Sequence, residues 1–299
     1  NLVYRYDQSE SIRSVSLIGD NKETTIIDGQ QIAACIKLPS GGYSSPLIKN
    51  FTIRNGYANG EVDYNNTWNN GGGIQISANY YPIYLSDLII ENCTSSLAGG
   101  GIYSDGSSLE MSNVQINNNS ASYTGGGIYF RSGADSWAYT LDIDSSYING
   151  NGGYASGGGV YIAKSPGGST IPIVQLSNTT VTNNTSGNDG GGVSLNEVIA
   201  TFENCTVSEN TAGSSGGGIY SNATNPILVN CIVWNDSPQE IAISGGSVTA
   251  SYSDIHGGWE GTGNIDSDPL FIDAANGDYR LSNYSPAIGA GTATGAPTT

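Results

Sequence analysis

Hydrophobic and polar residues alternate over short stretches of this chain in a pattern typical of β-strands. The residues expected to face inward are Leu176, Asn178, Thr179 and Val181. Those expected to face outward are Gln175, Ser177 and Thr180. β-Branched residues are frequent at the alternating positions, and they favour strands. Runs of three glycines would destabilise a helix interior by about 1 kcal/mol per residue. The pattern therefore predicts an all-β protein.

A block of three glycines and one aliphatic residue recurs six times along the chain. The blocks are Gly71–Ile74, Gly99–Ile102, Gly125–Ile128, Gly157–Val160, Gly190–Val193 and Gly216–Ile219. An aliphatic anchor precedes five of them by nine residues, and the anchors from Ile26 to Ile255 recur every 29 residues or so. Such a period with strand-like patterning predicts stacked β-coils. The rival antiparallel sandwich would not need one residue type at one place in every repeat.

A short polar residue, usually asparagine, stands three residues before seven successive anchors. These residues are Asn50, Asp87, Asn113, Ser145, Asn178, Asn204 and Asn230. Equivalent residues of stacked coils lie about 4.8 Å apart. We therefore expect an inward ladder of amides that satisfies buried backbone groups. The triple glycines predict tight turns with positive φ and no room for a side chain.

Two repeated blocks resemble a known family. Gly-Gly-Gly-Ile/Val alternates with segments such as Phe202-Glu203-Asn204-Cys205, and together they resemble bacterial right-handed parallel β-helix proteins of the polymorphic outer-membrane-protein type. The chain departs from that type by using Gly for Ala and by placing Asn two residues after the apolar residue. The resemblance covers roughly residues 50–235, and the segment 268–288 resembles the closing segment of many secreted β-helices. It implies one right-handed parallel β-helix of about eight to nine coils with an irregular C-terminal cap.

We predict that residues 1–255 form the coils and residues 256–299 a capping tail of the same domain.

Charge composition limits the classes of partner that the protein can bind. The chain has 26 acidic and 9 basic residues, which give a formal net charge of −17. Nucleic acid is excluded as a partner because phosphate binding needs clustered Lys and Arg. No apolar run approaches the ~20 residues of a spanning helix, so membrane insertion is not expected. Exposed solenoid ends predict end-to-end self-association or cover by a longer parent protein.

Aromatic residues give the first candidate site. Tyr103, Tyr129 and Tyr161 follow three successive glycine blocks, so they should form an outward row. The row either stabilises the sheet or offers a platform for sugar rings. Longer insertions are expected to emerge from one edge of the helix beside it, and loops on a rigid scaffold commonly carry function. The insertions contain Tyr80, Tyr81, Arg131, Asp135, Trp137, Tyr139 and Lys164. We expect carbohydrate to contact the tyrosine row with Arg131, Trp137 and Tyr139.

Carboxylates give the second candidate site. Glu110 and Asp142 occupy the same position in adjacent coils, and Asp144 lies on the same outward face. Oxygen-rich clusters suit Ca²⁺, which takes 6–8 oxygen ligands. The alternative is a solvated acidic face. No cofactor is required by the sequence, and calcium is the candidate ion.

Cys205 and Cys231 each follow a ladder asparagine and should stack inward one coil apart. A separation near 4.8 Å lies within the range that a disulfide allows. Two small buried thiols explain the pair equally well. Both interpretations stay open at this stage.

The sequence favours a secreted or cell-surface structural, adhesin-like protein that contacts extracellular glycans or partner proteins. The resemblance also allows a Ca-dependent polysaccharide lyase, with Arg131 or Lys164 abstracting a proton beside a uronate carboxylate. Such a base needs a depressed pKa, and a cleft for polyanionic sugar needs cations, yet the chain has nine Lys and Arg in all. Ice binding is disfavoured because no outward Thr-x-Thr row repeats. The balance leans away from an enzyme.

Overall fold

The protein is described by a computed structural model that covers residues 2–3, 16–38, 40–41, 45–61 and 70–293. Its strands form three long parallel sheets, which we call sheets A, B and C. Successive strands of each sheet come from successive turns of the chain, so every coil contributes to all three faces in the central part of the molecule. This is the arrangement of a parallel β-helix.

Sheet A contains the strands Leu2–Val3, Ile36–Leu38, Ile74–Ser77, Ile102–Asp105, Ile128–Arg131, Val160–Ala163, Val193–Asn196, Ile219–Thr224 and Ile241–Gly246. Sheet B contains Ser16–Ile18, Ile26–Asp28, Leu47–Arg54, Ile83–Glu91, Leu109–Asn117, Thr140–Asp144, Tyr147–Asn149, Ile173–Ser177, Thr180–Thr182, Ile199–Glu203, Thr206–Ser208, Ile227–Val229, Ile232–Trp234, Thr249–Ser251 and Asp254–Ile255. Sheet C contains Tyr57–Ala58, Thr94–Ser95, Ser120–Ala121, Gly152–Gly153, Thr185–Ser186 and Thr211–Ala212. Within the described residues sheet A has nine strands, in line with the predicted eight to nine coils.

Columns of identical side-chain type fill the interior. Ile102 pairs in register with Ile74 on one side and Ile128 on the other, and all three side chains are fully buried. The anchor aliphatics behave in the same way, with Ile116 paired to Ile148. Close-packed β-branched columns remove apolar surface from water at every coil, which stabilises the stack. The stacking register follows the predicted repeat.

The predicted asparagine ladder exists, but it lies on the outside. Asn113, Ser145 and Asn178 are exposed, and Asn204 is half-buried. Each of these residues has a positive φ, for example 54° at Asn113. This left-handed bend interrupts the period-two alternation and turns the side chain outward. Asn tolerates that conformation better than most residues, and this explains its recurrence.

A second set of asparagines forms the buried ladder, three residues after the anchors. Its members are Asn119, Asn151, Asn184 and Asn210, each at most 1% exposed. Asn119 donates its side-chain amide to Oδ1 of Asn151 at 3.0 Å and to the carbonyl of Ile90 at 2.9 Å. Cys93 occupies the same position one coil earlier, and its N–H donates to Oδ1 of Asn119 at 2.9 Å. The buried ladder therefore makes the hydrogen bonds to buried backbone groups that the sequence predicts for the ladder of Asn113 and its equivalents.

The triple glycines pack against this buried ladder. The first glycine of a block takes a positive φ, for example 65° at Gly125. The third has no space for a side chain: a Cβ on Gly127 would lie 2.6 Å from the carbonyl oxygen of Gly159 and 3.1 Å from Cγ of Asn151. Glycine is therefore required by both conformation and close approach, as the sequence indicates.

The chain after Ile255 folds back onto the coils. Trp259 packs against the core, and its indole N–H donates to the carbonyl of Val248 at 3.4 Å. Further on, Phe271–Asp273 and Asp278–Leu281 form an antiparallel hairpin around the 3₁₀ turn Ala274–Asn276. The hydroxyl of Tyr279 donates to Glu209 at 2.7 Å, which fixes the hairpin against the side of the helix. The division of the chain at 255/256 stays a prediction.

Candidate functional site

Loops between sheets A and B form the candidate site. The connections at 78–82, 132–139 and 164–172 are longer than those at 106–108 and 197–198. Sheet A strands end and sheet B strands begin along a common edge, so these loops project side by side. The rigid stack beneath them fixes where their side chains can lie.

Two of these loops bring exposed aromatic side chains together. The ring centroids of Tyr80 and Trp137 lie 6.1 Å apart at an interplanar angle of 60°. Trp137 is 57% exposed, and Tyr80 and Tyr81 are 47% and 49% exposed. We call Tyr80, Tyr81 and Trp137 the aromatic edge. The short connection at 106–108 lies between the two loops, since its coil is the one between theirs.

Tyr139 has a different environment from the one expected of a ligand contact. Its side chain is 6% exposed and belongs to the hydrophobic core. Its hydroxyl donates to the carboxylate of Asp135, with O···O distances of 2.9 and 3.0 Å, while the N–H of Trp137 donates to the same carboxylate at 3.1 Å. Tyr139 therefore shapes the loop that presents Trp137, and its buried ring is closed to a sugar.

The tyrosine row stacks, but it is not a surface platform. Ring centroids lie 4.9 Å apart for Tyr103 and Tyr129 and 5.4 Å apart for Tyr129 and Tyr161, with near-parallel planes. Tyr103 and Tyr129 are each 9% exposed, and Tyr161 is half-buried. Both faces of the Tyr129 ring are covered by its neighbours. Burial raises the pKa of Tyr103 to about 12. The expectation of an open row is corrected for Tyr103 and Tyr129 because the rings stack on one another along the helix axis.

The two candidate bases both contact carboxylates. Arg131 donates Nε to Oδ1 of Asp105 at 2.9 Å and Nη2 to Oδ2 at 2.5 Å, a bidentate pair. Hydrogen bonding to Asp105 raises the pKa of Arg131 further above its usual range. Lys164 Nζ lies 3.1 Å from Oε2 of Glu197. Proton abstraction needs a neutral base, and the Asp105 pair stabilises the charged form of Arg131.

The predicted acidic cluster lines a shallow groove on the outward face of sheet B. Glu110 is the register partner of Asp142, and Tyr84 is its partner on the other side. The groove measures about 500 Å³, and its lining includes Asp144 and Leu47 as well. We call Tyr84, Glu110, Asp142 and Asp144 the acidic groove. The structure thus brings the three carboxylates to one surface.

Two carboxylates of the acidic groove have pKa values shifted in opposite directions. Burial raises the pKa of Asp142. Burial also acts on Asp144, but hydrogen bonds from Asn178, Ser177 and Ser145 outweigh it and lower the pKa of that carboxyl. Across the described part of the chain, no three His, Cys, Asp or Glu side chains are close enough to hold a metal ion. Calcium binding stays a prediction.

The four cysteines are buried free thiols in the structure. Sγ of Cys205 donates to the carbonyl of Leu176 at 3.4 Å, and Sγ of Cys231 donates to that of Phe202 at 3.5 Å. Burial raises the pKa of Cys231 well above its usual value. The sequence left open whether Cys205 and Cys231 form a disulfide or are two buried thiols, and in the structure they are buried thiols.

The sequence does not predict that the three residues of the aromatic edge lie together. The sequence predicts that Tyr80 and Tyr81 lie in an insertion, but it does not mark them as contacts of the candidate glycan site. One sequence signal does point to the contact: Tyr80 and Tyr81 lie in an insertion two coils before the insertion that contains Trp137. Two flanking insertions with a short one between them bring such side chains together. The buried asparagine ladder had a signal too, because each member precedes its glycine block by six residues.

The chain is similar to two family models. The model described as a right handed beta helix region matches residues 15–140, and the Chlamydia polymorphic membrane protein repeat matches residues 204–222. No curated protein and no solved structure matches the chain significantly. Within the described residues, helices of the length and apolar character needed to cross a membrane are absent. The sheets and these matches together show that the chain folds as a right-handed parallel β-helix built from repeats.

Proposed function

We propose that this protein is a secreted or cell-surface β-helix, adhesin-like in role, that binds extracellular glycans at the aromatic edge. The polymorphic membrane protein repeat at 204–222 supports a surface-associated location. The uniform coils provide a stiff rod, and the formal charge of −17 favours solubility outside the cell.

The observation that carries the proposal is the exposed pair of Tyr80 and Trp137. Large aromatic side chains that stay about half exposed are costly to hydrate, and they commonly mark binding surfaces. The carboxylate of Asp135 holds the Trp137 loop in place. Sugar rings present apolar C–H faces to such aromatics and hydroxyls to neighbouring carboxylates and carbonyls. A neutral or cationic glycan fits the acidic surroundings better than a polyanionic one.

A glycan array tests the proposal, run with and without Ca²⁺. We expect the wild-type protein to bind one class of glycan and Trp137→Ala to lose that signal. Tyr154→Ala is the matched control, because Tyr154 is 75% exposed on another part of the coil surface. Binding that survives Trp137→Ala and Tyr80→Ala together would overturn the assignment. Labelling intact cells with an antibody to the protein would test its surface location separately.

A further inference from the structure

The outward face of sheet B changes character along the helix axis. In the column of register partners that contains Glu110, successive coils present Tyr84, Glu110, Asp142 and then Gln175. The same column continues through a threonine to Ile227. One end of this column is therefore acidic, and the other end carries Ile227. In the neighbouring outward column, Glu203 lies opposite Val229.

Three isoleucines dominate the apolar end. Ile173 and Ile199 are direct register partners, and Ile227 is the partner of Thr201, two residues along the strand from Ile199. The three side chains are 48%, 53% and 46% exposed. We call Ile173, Ile199 and Ile227 the isoleucine patch. Its members lie on neighbouring strands, so their exposed surfaces form one cluster.

Stacking of the coils does not explain the isoleucine patch. Outward β-branched residues do stabilise neighbouring strands. However, Thr140 occupies the column of Ile173, and Thr249 occupies the column of Ile227. Threonine therefore satisfies the same strand positions while keeping them polar. Clustered exposed isoleucines are costly in water, and such clusters mark interaction surfaces.

Charge decides what kind of partner fits. The acidic groove adjoins the isoleucine patch within sheet B, because the strand of Asp142 pairs with the strand of Ile173. Lys49, the basic residue beside the groove, contacts Asp87 at 3.2 Å. A second copy of this chain carries the same net charge of −17, so it would be repelled. An anionic lipid surface would be repelled for the same reason. A partner with cationic and apolar residues complements both halves of the face.

We propose that this face binds a cationic amphipathic polypeptide segment lying along the helix axis. Its basic residues would contact Glu110, Asp142 and Asp144, and its apolar residues would cover the isoleucine patch. Coils are about 4.8 Å apart, so the four steps from Glu110 to Ile227 span roughly 19 Å. A helix of about 13 residues or a strand of about 6 residues has that length. The proposal uses the strand faces of sheet B and not the loops, so it does not rest on glycan binding.

A synthetic block peptide tests this arrangement, with Lys residues in one half and Leu residues in the other. The comparison peptide has the same composition in alternating order. We expect fluorescence anisotropy to show tighter binding of the block peptide to the full chain. Replacing Ile173 and Ile199 together by Thr should weaken that binding about tenfold, as loss of a central apolar contact commonly does. Replacing Glu110 by Gln and Asp142 by Asn should weaken it by a similar factor, mainly at low salt.

Matched controls make the outcomes decisive. Ile243→Thr removes an isoleucine that is 42% exposed on sheet A, and Glu260→Gln removes an exposed carboxylate near the C-terminus. Neither control should change peptide binding, and thermal melts should show every variant folded. Equal loss with Glu260→Gln would show unspecific charge attraction and overturn the proposal. Absence of peptide binding, vesicle binding through the isoleucines, or dimers that Ile199→Thr dissolves would overturn it as well.

Discussion

Asn151 donates both its backbone N–H and its side-chain amide to Oδ1 of Asn184, each across 2.9 Å. The same amide donates to the carbonyl of Ile116 at 2.8 Å. One side chain thus joins the coil before its own to the coil after it. Because the group is buried, no water can replace these bonds.

Replacing Asn184 by Ala should therefore destabilise the protein strongly. The change leaves the Asn151 N–H and the Ile148 carbonyl without their bonds to Asn184. Each buried group left unsatisfied costs about 1–3 kcal/mol, so we expect a loss near 3 kcal/mol. The free energy of urea-induced unfolding measures it. Asn178→Gly is the control, because it removes an exposed asparagine at φ 50°, a conformation that glycine adopts without steric strain. This change should lower the free energy of unfolding by less than about 1 kcal/mol. Equal losses would contradict the assignment of the buried ladder.

The two asparagine sets also show how far sequence carries the fold. Repeat length, parallel stacking and the glycine turns follow from spacing alone, because each recurs at a fixed place in every coil. The direction of a side chain after a bend does not. The sequence predicts Asn113 inside because stacked amides could satisfy buried backbone groups there, but its φ of 54° turns the side chain outward. Spacing therefore predicts which residues stack, while local φ decides which way they face.

The candidate site shows the same division. The sequence predicts that Glu110 and Asp142 are neighbours, since both lie in regular strands, and the register pairs them. Loop contacts are different: the approach of Trp137 to Tyr80 depends on the shapes of two insertions separated by one coil. Burial of Tyr139 depends on the loop closing over it. Neither follows from residue spacing.

Asp254 should make stability depend on pH. It is 3% exposed, its Oδ2 has no hydrogen-bond partner in the described structure, and burial raises its pKa from 3.8 to about 6. The folded state holds this proton more tightly than the unfolded state. Its stabilising contribution is therefore complete below about pH 4 and is lost as the pH rises to about 6, by up to about 3 kcal/mol.

The measurement compares wild type with Asp254→Asn from pH 4 to pH 7. The variant cannot ionise, so its melting temperature should gain on that of wild type across this interval. Asp28 and Asp87, whose pKa values are lowered by hydrogen bonds, titrate in both proteins and cancel in the comparison. If the difference in melting temperature between the two proteins stayed constant from pH 4 to pH 7, Asp254 would ionise with an ordinary pKa.

The buried thiols predict a clear alkylation result. Each cysteine is at most 2% exposed, and the thiolate rather than the thiol reacts. Folded protein should therefore stay unmodified by iodoacetamide. In denaturant without reductant, mass spectrometry should find all four cysteines alkylated. Modification of only Cys35 and Cys93 under these conditions would instead reveal a disulfide between Cys205 and Cys231.

Tyr129 should be the most costly residue of the tyrosine row to remove. Its ring contacts both neighbours, whereas Tyr103 and Tyr161 each stack on it from one side. Truncating a buried aromatic side chain commonly costs 3–5 kcal/mol, and we expect about 3 kcal/mol for Tyr129→Ala. Differential scanning calorimetry measures the change. Tyr154→Ala, at an exposed position, should leave stability nearly unchanged, and a comparable loss there would contradict a specific role for the stack.

Repulsion between Glu110 and Asp142 gives the last prediction. Like charges on register partners are destabilising, and burial already raises the pKa of Asp142. Asp142→Asn should therefore stabilise the protein by about 0.5 kcal/mol at low salt, and less at high salt, where the charges are screened. Melting temperatures in NaCl and in CaCl₂ of equal ionic strength distinguish screening from binding. If wild type gains more from CaCl₂ than from NaCl and Asp142→Asn does not, then calcium bridges the carboxylates and the acidic groove is a metal site. Equal gains in both salts would mean that screening alone relieves the repulsion.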